Sequence, residues 1–519
     1  MPAIITSGMR IFAAKQFIES FSDSSINIYV FIGAPLPWAD DNTPPLPLDS
    51  VDILANCYQD MMALKKASAT NVSLAVPLYN WTTGSVYSQY TDKADLFNPS
   101  LGTPPFYVIT TNNMNVYKCM FNNGGVNSTV QPTGTALLPF TSSDGYAWKF
   151  MFTVSSADAV NFQTNLWMPV KTLTSNDGSN QWTVQQAAVP GAIDRVEMLT
   201  SGTQYSSAPY VAITGDGIGA TAFVDPTTGI SNGNVVKVTV SASGSGYTWA
   251  NVAITTDSGH GGIGANGATA QAILSPYLGH GADPVSELGA RYVIISTQLI
   301  YDESGTFTVN NDYRRIGVVV NPLLYGTTTP ATALDYCQAL TLTFTTITGG
   351  AFTPDEQVTG LTSGATGYVM DFDSVYNILR LVTVTGTFLA GEQVQDASQV
   401  VTGTLQTISG TVQNATSTTI QLTTGSSTDG AYNNQTLRIT AGPGTGQTVV
   451  ISGYAGSTRT ATITPAWTIT PTSSSSFVIA NIQSPAIQPF SGQILYVENR
   501  RPISRSIDQS EGLKTIMQF

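Results

Sequence analysis

Residues 350–403 carry one pattern twice. Gly350, Phe352, Glu356, Gln357, Val358, Thr366 and Gly367 recur as Gly386, Phe388, Glu392, Gln393, Val394, Thr402 and Gly403, each 36 positions on with no gap. Seven identities at a single offset establish an internal repeat, although they say nothing about chemistry. A second pair lies upstream: SGTQYSSAPYVAIT (201–214) is echoed by SGSGYTWANVAIT (243–255), and each is followed by Gly-Ala-Thr-Ala, at 219–222 and 267–270. Tyr205 and Tyr247 hold matching places 42 residues apart. Such repeats confine these stretches to small β units, with the tyrosine plugging the core and the glycines making turns of positive φ. A third all-β piece covers about 410–482. β-Sandwiches or small barrels are the expected form of all three.

The bulk composition agrees with many short strands. Only 10% of the 519 residues are charged, against about 25% in typical proteins, and Ser, Thr, Asn, Gln and Gly fill the polar positions instead. Apolar residues make up 42%, so a folded chain of two to four domains is expected. The net charge of −13, without a basic stripe, argues against nucleic acid, and no polybasic membrane-binding segment appears. Cys57, Cys119 and Cys337 are too few and too scattered for a disulfide framework and read as small buried hydrophobes. MPAIITSGMR has no signal-peptide pattern and no apolar run is long enough to span a bilayer, so a protein made and used in a cytosol, or leaving it by lysis or assembly, is expected.

Outside the repeats the texture differs. Ala14, Phe17, Ile18 and Phe21 predict a helix over 8–22, and INIYVFIG (26–33) a strand. APLPWADDNTPPLPLDS cannot form regular structure. Asp49 or Ser50 then caps a second helix with Ile53, Cys57, Met61 and Leu64 on its apolar face and Lys65 and Lys66 at its C-terminal end. Residues 72–190 read as strands and long loops, including FYVITT, NVYKCMF and YAWKFMFTV. RYVIISTQLI and YRRIGVVVNPLL (roughly 291–324) resemble neither repeat. The expected class is mainly β with an α+β N-terminal region, in six segments: an α+β frame domain (1–194), a tandem β-repeat insert (195–287), frame strands (288–345), the 36-residue repeat pair (346–409), a further β insert (410–484) and a C-terminal frame segment (485–519).

Candidate chemistry is thin. His260 (GHGG) and His280 (GHGA) sit in glycine loops without a GxSxG nucleophile elbow. GDGIGA (215–220) lacks the register of a dinucleotide loop, and GPGTGQT (442–448) lacks the phosphate-binding lysine, so both read as turns. Asp371 and Asp373, with Asp355, could supply oxygen ligands to Ca²⁺, but no calcium-loop pattern accompanies them and they read as solvated loop carboxylates. Glu356 and Glu392 occupy equivalent repeat positions, which argues for a turn or strand-edge role. Asn-x-Ser/Thr matches such as Asn71 and Asn127 are near chance in so Ser/Thr-rich a chain. Trp249 is expected to pack in a small β core. No catalytic residue, cofactor or metal site is expected.

The frame segments resemble one family, the baseplate wedge subunits of contractile-tailed bacteriophages of the T4-like kind. FIGAPLPW (31–38), PLDSV (47–51), QDMMALKK (59–66), AVP with Trp81 downstream, NVYKC (115–119), DGYAWKFMF (144–152), YRRIGVVVNPL (313–323) and SGQILYVENRRPISRSIDQSEGLKTIMQF (491–519) follow that family's order. ENRRPI and IDQSE are the most specific. The resemblance covers about half the chain: 1–194, about 288–345 and 485–519. It places QDMMALKK in a long helix. It implies a virion structural protein without enzymatic activity, made in the host cytoplasm and located in the tail baseplate. It also implies a homodimer that contacts other wedge proteins and tail-fibre attachment proteins and helps hold the plate before contraction. A receptor-binding adhesin with carbohydrate-binding β modules around Trp249 is the alternative.

The closing segment is unusually charged for this chain: Glu498, Arg500, Arg501, Arg505, Asp508, Glu511 and Lys514. In ILYVEN, strand alternation puts Ile494, Tyr496 and Glu498 on one face and Leu495 and Val497 on the other. Pro502 is expected to end or bend the strand and to exclude a central sheet position. Arg500, Arg501 and Glu498, with Arg314 and Arg315 of YRRIGVVV, are the interface candidates. Their forks suit paired carboxylates, either within the subunit or against a partner.

Overall fold

The computed structural model describes residues 4–98, 100, 102–257, 259–262, 264–300, 307, 311–506 and 509–519; Asp508 and the start of IDQSE lie outside the described residues. The chain is mainly β, with several separate sheets and five short helices among the described residues. It divides into two compact units. One comprises Met1–Ile18, Val72–Ile295 and Thr515–Phe519, the other Glu19–Asn71 and Ser296–Lys514. Sequence segment 1–194 thus contributes to both.

In the first unit, Ile11 and Ala14 of the helix Ser7–Ser20 pack with Val116, Met151, Phe152 and Val293. A four-stranded antiparallel sheet runs through Tyr107–Ile109, Asn115–Phe121, Ala147–Thr153 and Phe140–Thr141. Both its faces are covered: Tyr117, Cys119, Trp148 and Phe150 fill one core, Val116 and Met151 another. The helices Ser156–Phe162 and Asn180–Gln186 lie in a stretch expected to hold only strands and loops. Ser155 and Ser179 supply their N-caps, accepting from Asp158 N and Trp182 N at 3.0 and 3.3 Å.

The tandem repeat folds by exchange between its two copies. Tyr210–Gly215 pairs antiparallel with its own counterpart Ala250–Thr255. Ser201 lies opposite Ala268, and Ser243, the match of Ser201, lies opposite Ala220, the match of Ala268. Each tyrosine is buried, as expected, but its hydroxyl reaches the other copy: Ala268 N donates to Tyr205 and Ala220 N to Tyr247, at 3.2 and 3.3 Å. Gly202 and Gly244, at φ 62° and 61°, admit this crossing, since a Cβ there would meet backbone at 2.4 and 2.5 Å.

The second unit is organised by a five-stranded antiparallel sheet of Asp335–Cys337, Met61–Ala67, Ile28–Gly33, Asp312–Val320 and Gln493–Ser504, in that order. Strands from the beginning, middle and end of the chain therefore lie side by side, around a core of Tyr29, Phe31, Cys57, Leu64 and Val319. The second helix departs from expectation. Ser50 caps it, but it covers only Val51–Gln59, and residues 61–67 turn into a strand. Met61 to Leu64 are all buried, and pairing on both sides with Ile28–Gly33 and Asp335–Cys337 overrides any helical propensity. Lys65 pairs with Asp335 at 3.1 Å rather than with a helix terminus.

The closing strand also corrects the face assignment. Val319 lies opposite Ile494 but Val318 lies opposite Tyr496, so Leu495 is an extra, exposed residue at a bulge. That slip brings Val497 to the same core as Ile494. Pro502 lies inside the strand, at an edge position where its missing N–H costs no ladder bond.

Residues 340–483 form two closed six-stranded rings, joined where Leu340–Thr348 pairs with Ser476–Gln483. The 36-residue repeat makes the first. Val358 opposes Gly367 as Val394 opposes Gly403, and Thr359 faces its own counterpart Gln395. Phe352 and Phe388 plug this ring's core, while Trp467, Tyr432 and Phe477 fill the other.

Gly317 lies directly opposite Phe31, whose ring covers it; an added Cβ would sit 2.2 Å from that buried ring. Gly317→Ala is expected to destabilise the second unit by roughly 1–3 kcal/mol in denaturant unfolding. Gly512→Ala, with open space at its Cβ, is expected to stay within ~0.5 kcal/mol.

Candidate functional site

Between the strand Ile28–Gly33 and the helix Val51–Gln59 runs a 17-residue loop, 34–50, with five prolines. Prolines donate no backbone hydrogen bond, so side chains must hold such a segment. Arg314 does most of this. Its side chain is 3% exposed, and its fork grips Asp41 with Nε to Oδ1 at 3.0 Å and Nη2 to Oδ2 at 3.1 Å. Its Nη1 donates to the carbonyl of Pro35 and its Nη2 also meets Asp312 at 3.2 Å. Asp41 in turn accepts from Trp38 N at 2.8 Å, and the hydrogen bond from Arg314 holds its carboxyl below the usual carboxylate range.

Consecutive strand residues point to opposite faces, so Arg315 works on the other side. It meets Asp60 Oδ2 at 2.5 Å and Asn499 Oδ1 at 2.9 Å, and its guanidinium lies 5.4 Å from the Trp38 ring. Burial pushes the Asp60 carboxyl up to about 6 against the pull of Arg315. The closing strand completes the clamp. Trp38 Nε1 donates to Arg500 O at 2.8 Å, Asn499 Nδ2 to Pro45 O at 2.9 Å, and Arg501 Nε to Asn42 O at 3.2 Å. The ladder passes from Tyr313–Ile503 to Arg315–Asn499, so Arg500, Arg501 and Pro502 face the single residue Arg314.

Four of the five interface candidates therefore meet one loop, Arg314, Arg315 and Arg501 through their side chains and Arg500 through its carbonyl, while Glu498 meets Arg500 and Tyr496 instead. Arg314 and Arg315 are buried with partners inside the chain. Stranding such a buried charge typically costs ~3–5 kcal/mol. Arg500 and Glu498 pair at 2.8 Å with side chains 39% and 33% exposed, a setting in which a pair contributes under ~1 kcal/mol. Arg501 is exposed. Glu498 also accepts from the Tyr496 hydroxyl at 3.0 Å.

The first unit holds a polar cluster that sequence reading missed. Lys118 and Lys149 sit directly opposite one another in neighbouring strands, both buried, a repulsive arrangement unless a carboxylate intervenes. Glu287 supplies it. Its Oε2 contacts Lys118 Nζ and lies 3.8 Å from His280 Nδ1, and its Oε1 accepts from Gly281 N at 2.6 Å. His280 Nε2 meets Asp194 at 2.5 Å, and Tyr90 closes the group with its ring 5.0 Å from Lys118 Nζ. Burial works against ionisation of Glu287, but Lys118 and His280 prevail and hold its carboxyl down to about 2. Burial pushes the Lys149 amine down to about 8, with Glu287 opposing and Lys118 reinforcing. Lys149, Asp194, Arg195 and His280 line a cleft of about 1010 Å³ with Val196 and Val238. The available signal was a lysine in the middle of each apolar strand, NVYKCMF and YAWKFMF. No local pattern announces Glu287.

The remaining sequence candidates are scattered. His260 is exposed beside Asp257. Asp371 pairs with Arg380 at 2.7 Å, and Asp373 accepts from the turn amides of Val375 and Tyr376. Among the described residues no three His, Cys, Asp or Glu side chains are grouped to hold a metal. Glu392 is buried and accepts from Thr362 N and Ser363 N of the other repeat at 3.0 and 2.9 Å, a turn-fixing role. Trp249 departs from expectation: it is 52% exposed rather than packed in a core, because Asp216 holds its amide and that of Thr248 at the module surface.

Glu287→Gln leaves Lys118 buried without its counter-charge and is expected to cost ~3–5 kcal/mol at pH 7. The folded carboxyl titrates below its ordinary value, so its contribution is present above about 4.5 and lost as pH falls toward about 2. Urea unfolding of both proteins across that window should show the difference shrink. Compared with known proteins, the chain matches no family model and no curated protein.

Proposed function

We propose that the chain is a structural subunit of a phage tail baseplate wedge, without enzymatic activity, that assembles as a homodimer with other wedge proteins. One observation carries the reading. The five-stranded sheet and its arginine clamp draw strands from all three stretches that carry the family resemblance, whereas 340–483 closes on itself as two barrels. A scaffold braided from distant segments suits a part that must keep its shape within an assembly, since strands from the beginning, middle and end of the chain share one sheet. Self-closed β modules present few free edges for unwanted pairing.

A second reading has one observation in its favour. The exposed Trp249 offers an aromatic face of the kind that sugars stack on, as a receptor-binding adhesin would use. A glycan array with the wild type and Trp249→Ala addresses it directly, and a tryptophan-dependent signal would favour adhesion.

Immunogold labelling of intact virions with antibody against 346–484 tests the main reading. Gold at six-fold positions around the baseplate is expected. Gold at fibre tips would move the adhesin to first place.

A further inference from the structure

We propose that residues 44–50, PPLPLDS, form a preorganised polyproline ligand for a protein groove walled by aromatic side chains and rimmed by basic ones.

The sequence dictates an extended segment. Pro44, Pro45 and Pro47 have fixed φ, and a residue before proline is pushed out of the helical region, which constrains Thr43, Pro44 and Leu46. The segment belongs to no strand. Its exposure instead repeats every third residue. Pro44, Pro47 and Ser50 are half-buried, while Pro45, Leu46, Leu48 and Asp49 are exposed. A polyproline II helix has three residues per turn, so one edge rests on the protein and two face outward.

Those outward edges are apolar and held still. Leu46 is 86% exposed, Leu48 64% and the adjoining Val51 87%. A single exposed leucine is ordinary; three large aliphatics within six residues make a patch. Asn499 fixes the carbonyl of Pro45 at 2.9 Å and Arg501 that of Asn42 at 3.2 Å. A ligand already ordered loses little entropy when bound, so exposed apolar area converts to affinity more fully.

The chemistry of the partner follows. Polyproline edges are read by grooves of aromatic rings. Asp40, Asp49 and Asp52 are exposed around the segment and outnumber the exposed Arg501 beside Asn42, so a basic rim matches the surface and an acidic one is repelled. Pro44 and Pro47, the pair spaced for a two-proline groove, face their own chain. The readable edges are Pro45 with Leu48, and Leu46.

The test titrates the purified full-length chain with two probes. One is a WW domain, whose single aromatic groove takes one proline with neighbouring apolar residues. The other is an SH3 domain, which needs both prolines of a Pro-x-x-Pro pair. Saturable WW binding is expected. It should weaken at least tenfold in the Leu46→Asp/Leu48→Asp double variant, whose exposed substitutions leave the fold intact, and several-fold in Asn499→Ala. The SH3 domain should not bind. Absent WW binding, binding indifferent to the double variant, or SH3 binding of equal strength would each overturn the proposal. So would sedimentation showing that the double variant turns a dimer into a monomer, since the occupant would then be a second copy.

Discussion

The pairing of Arg314 with Asp41 is the interaction on which the second unit's frame depends. Five prolines leave the loop short of amide donors, so beyond the bond from Ala34 N to the Asp60 carbonyl at 3.0 Å its path is set largely by what its carbonyls and carboxylates meet. A planar fork delivers three fixed contacts from one buried residue, to both oxygens of Asp41 and to the Pro35 carbonyl. Lysine, a point charge on a flexible stem, would not reproduce that geometry. Because Arg314 stands opposite a three-residue irregularity of the closing strand, the same contact fixes register at the sheet edge.

The charged tail of an otherwise bland chain thus has a local purpose. Its residues do not form a patch of one sign. Asn499, Arg500 and Arg501 reach back to the proline loop, Glu498 steadies Arg500, and Arg505 is buried beside Glu511 at 3.1 Å. The first unit meets the opposite difficulty, two buried lysines facing each other across neighbouring strands, with a single carboxylate from a distant helix. In both units charge is spent where backbone pairing cannot specify the structure.

The repeats show what a sequence discloses and what it hides. Offsets of 36 and 42 residues announced duplicated β units, and Tyr205 and Tyr247 are buried as their positions implied. Exchange between copies was hidden, because identical halves satisfy the same local pattern whether they pair with themselves or with each other. Ser50 as a cap and Ile28–Gly33 as a strand were legible because their determinants are local. Residues 61–67 were not: an apolar run before two lysines fits a helix equally well, and pairing with strands from distant parts of the chain decided it. The bulge at Leu495 has no signal of its own, yet it reverses which face Val497 occupies. Composition and family likeness single out the four arginines and Glu498, but the loop that the arginines share as a target is legible only once the sheet has brought both ends of the chain together.

Hydrogen–deuterium exchange on the wild type and Arg314→Met is the most direct test of this account. It predicts that amides across 34–50 and along Asp312–Val320 and Gln493–Ser504 lose protection in the variant, while the barrels of 340–483 keep theirs. Unchanged protection across 34–50, or an equal loss throughout the barrels, would contradict the claim that this arginine fastens the loop to the frame.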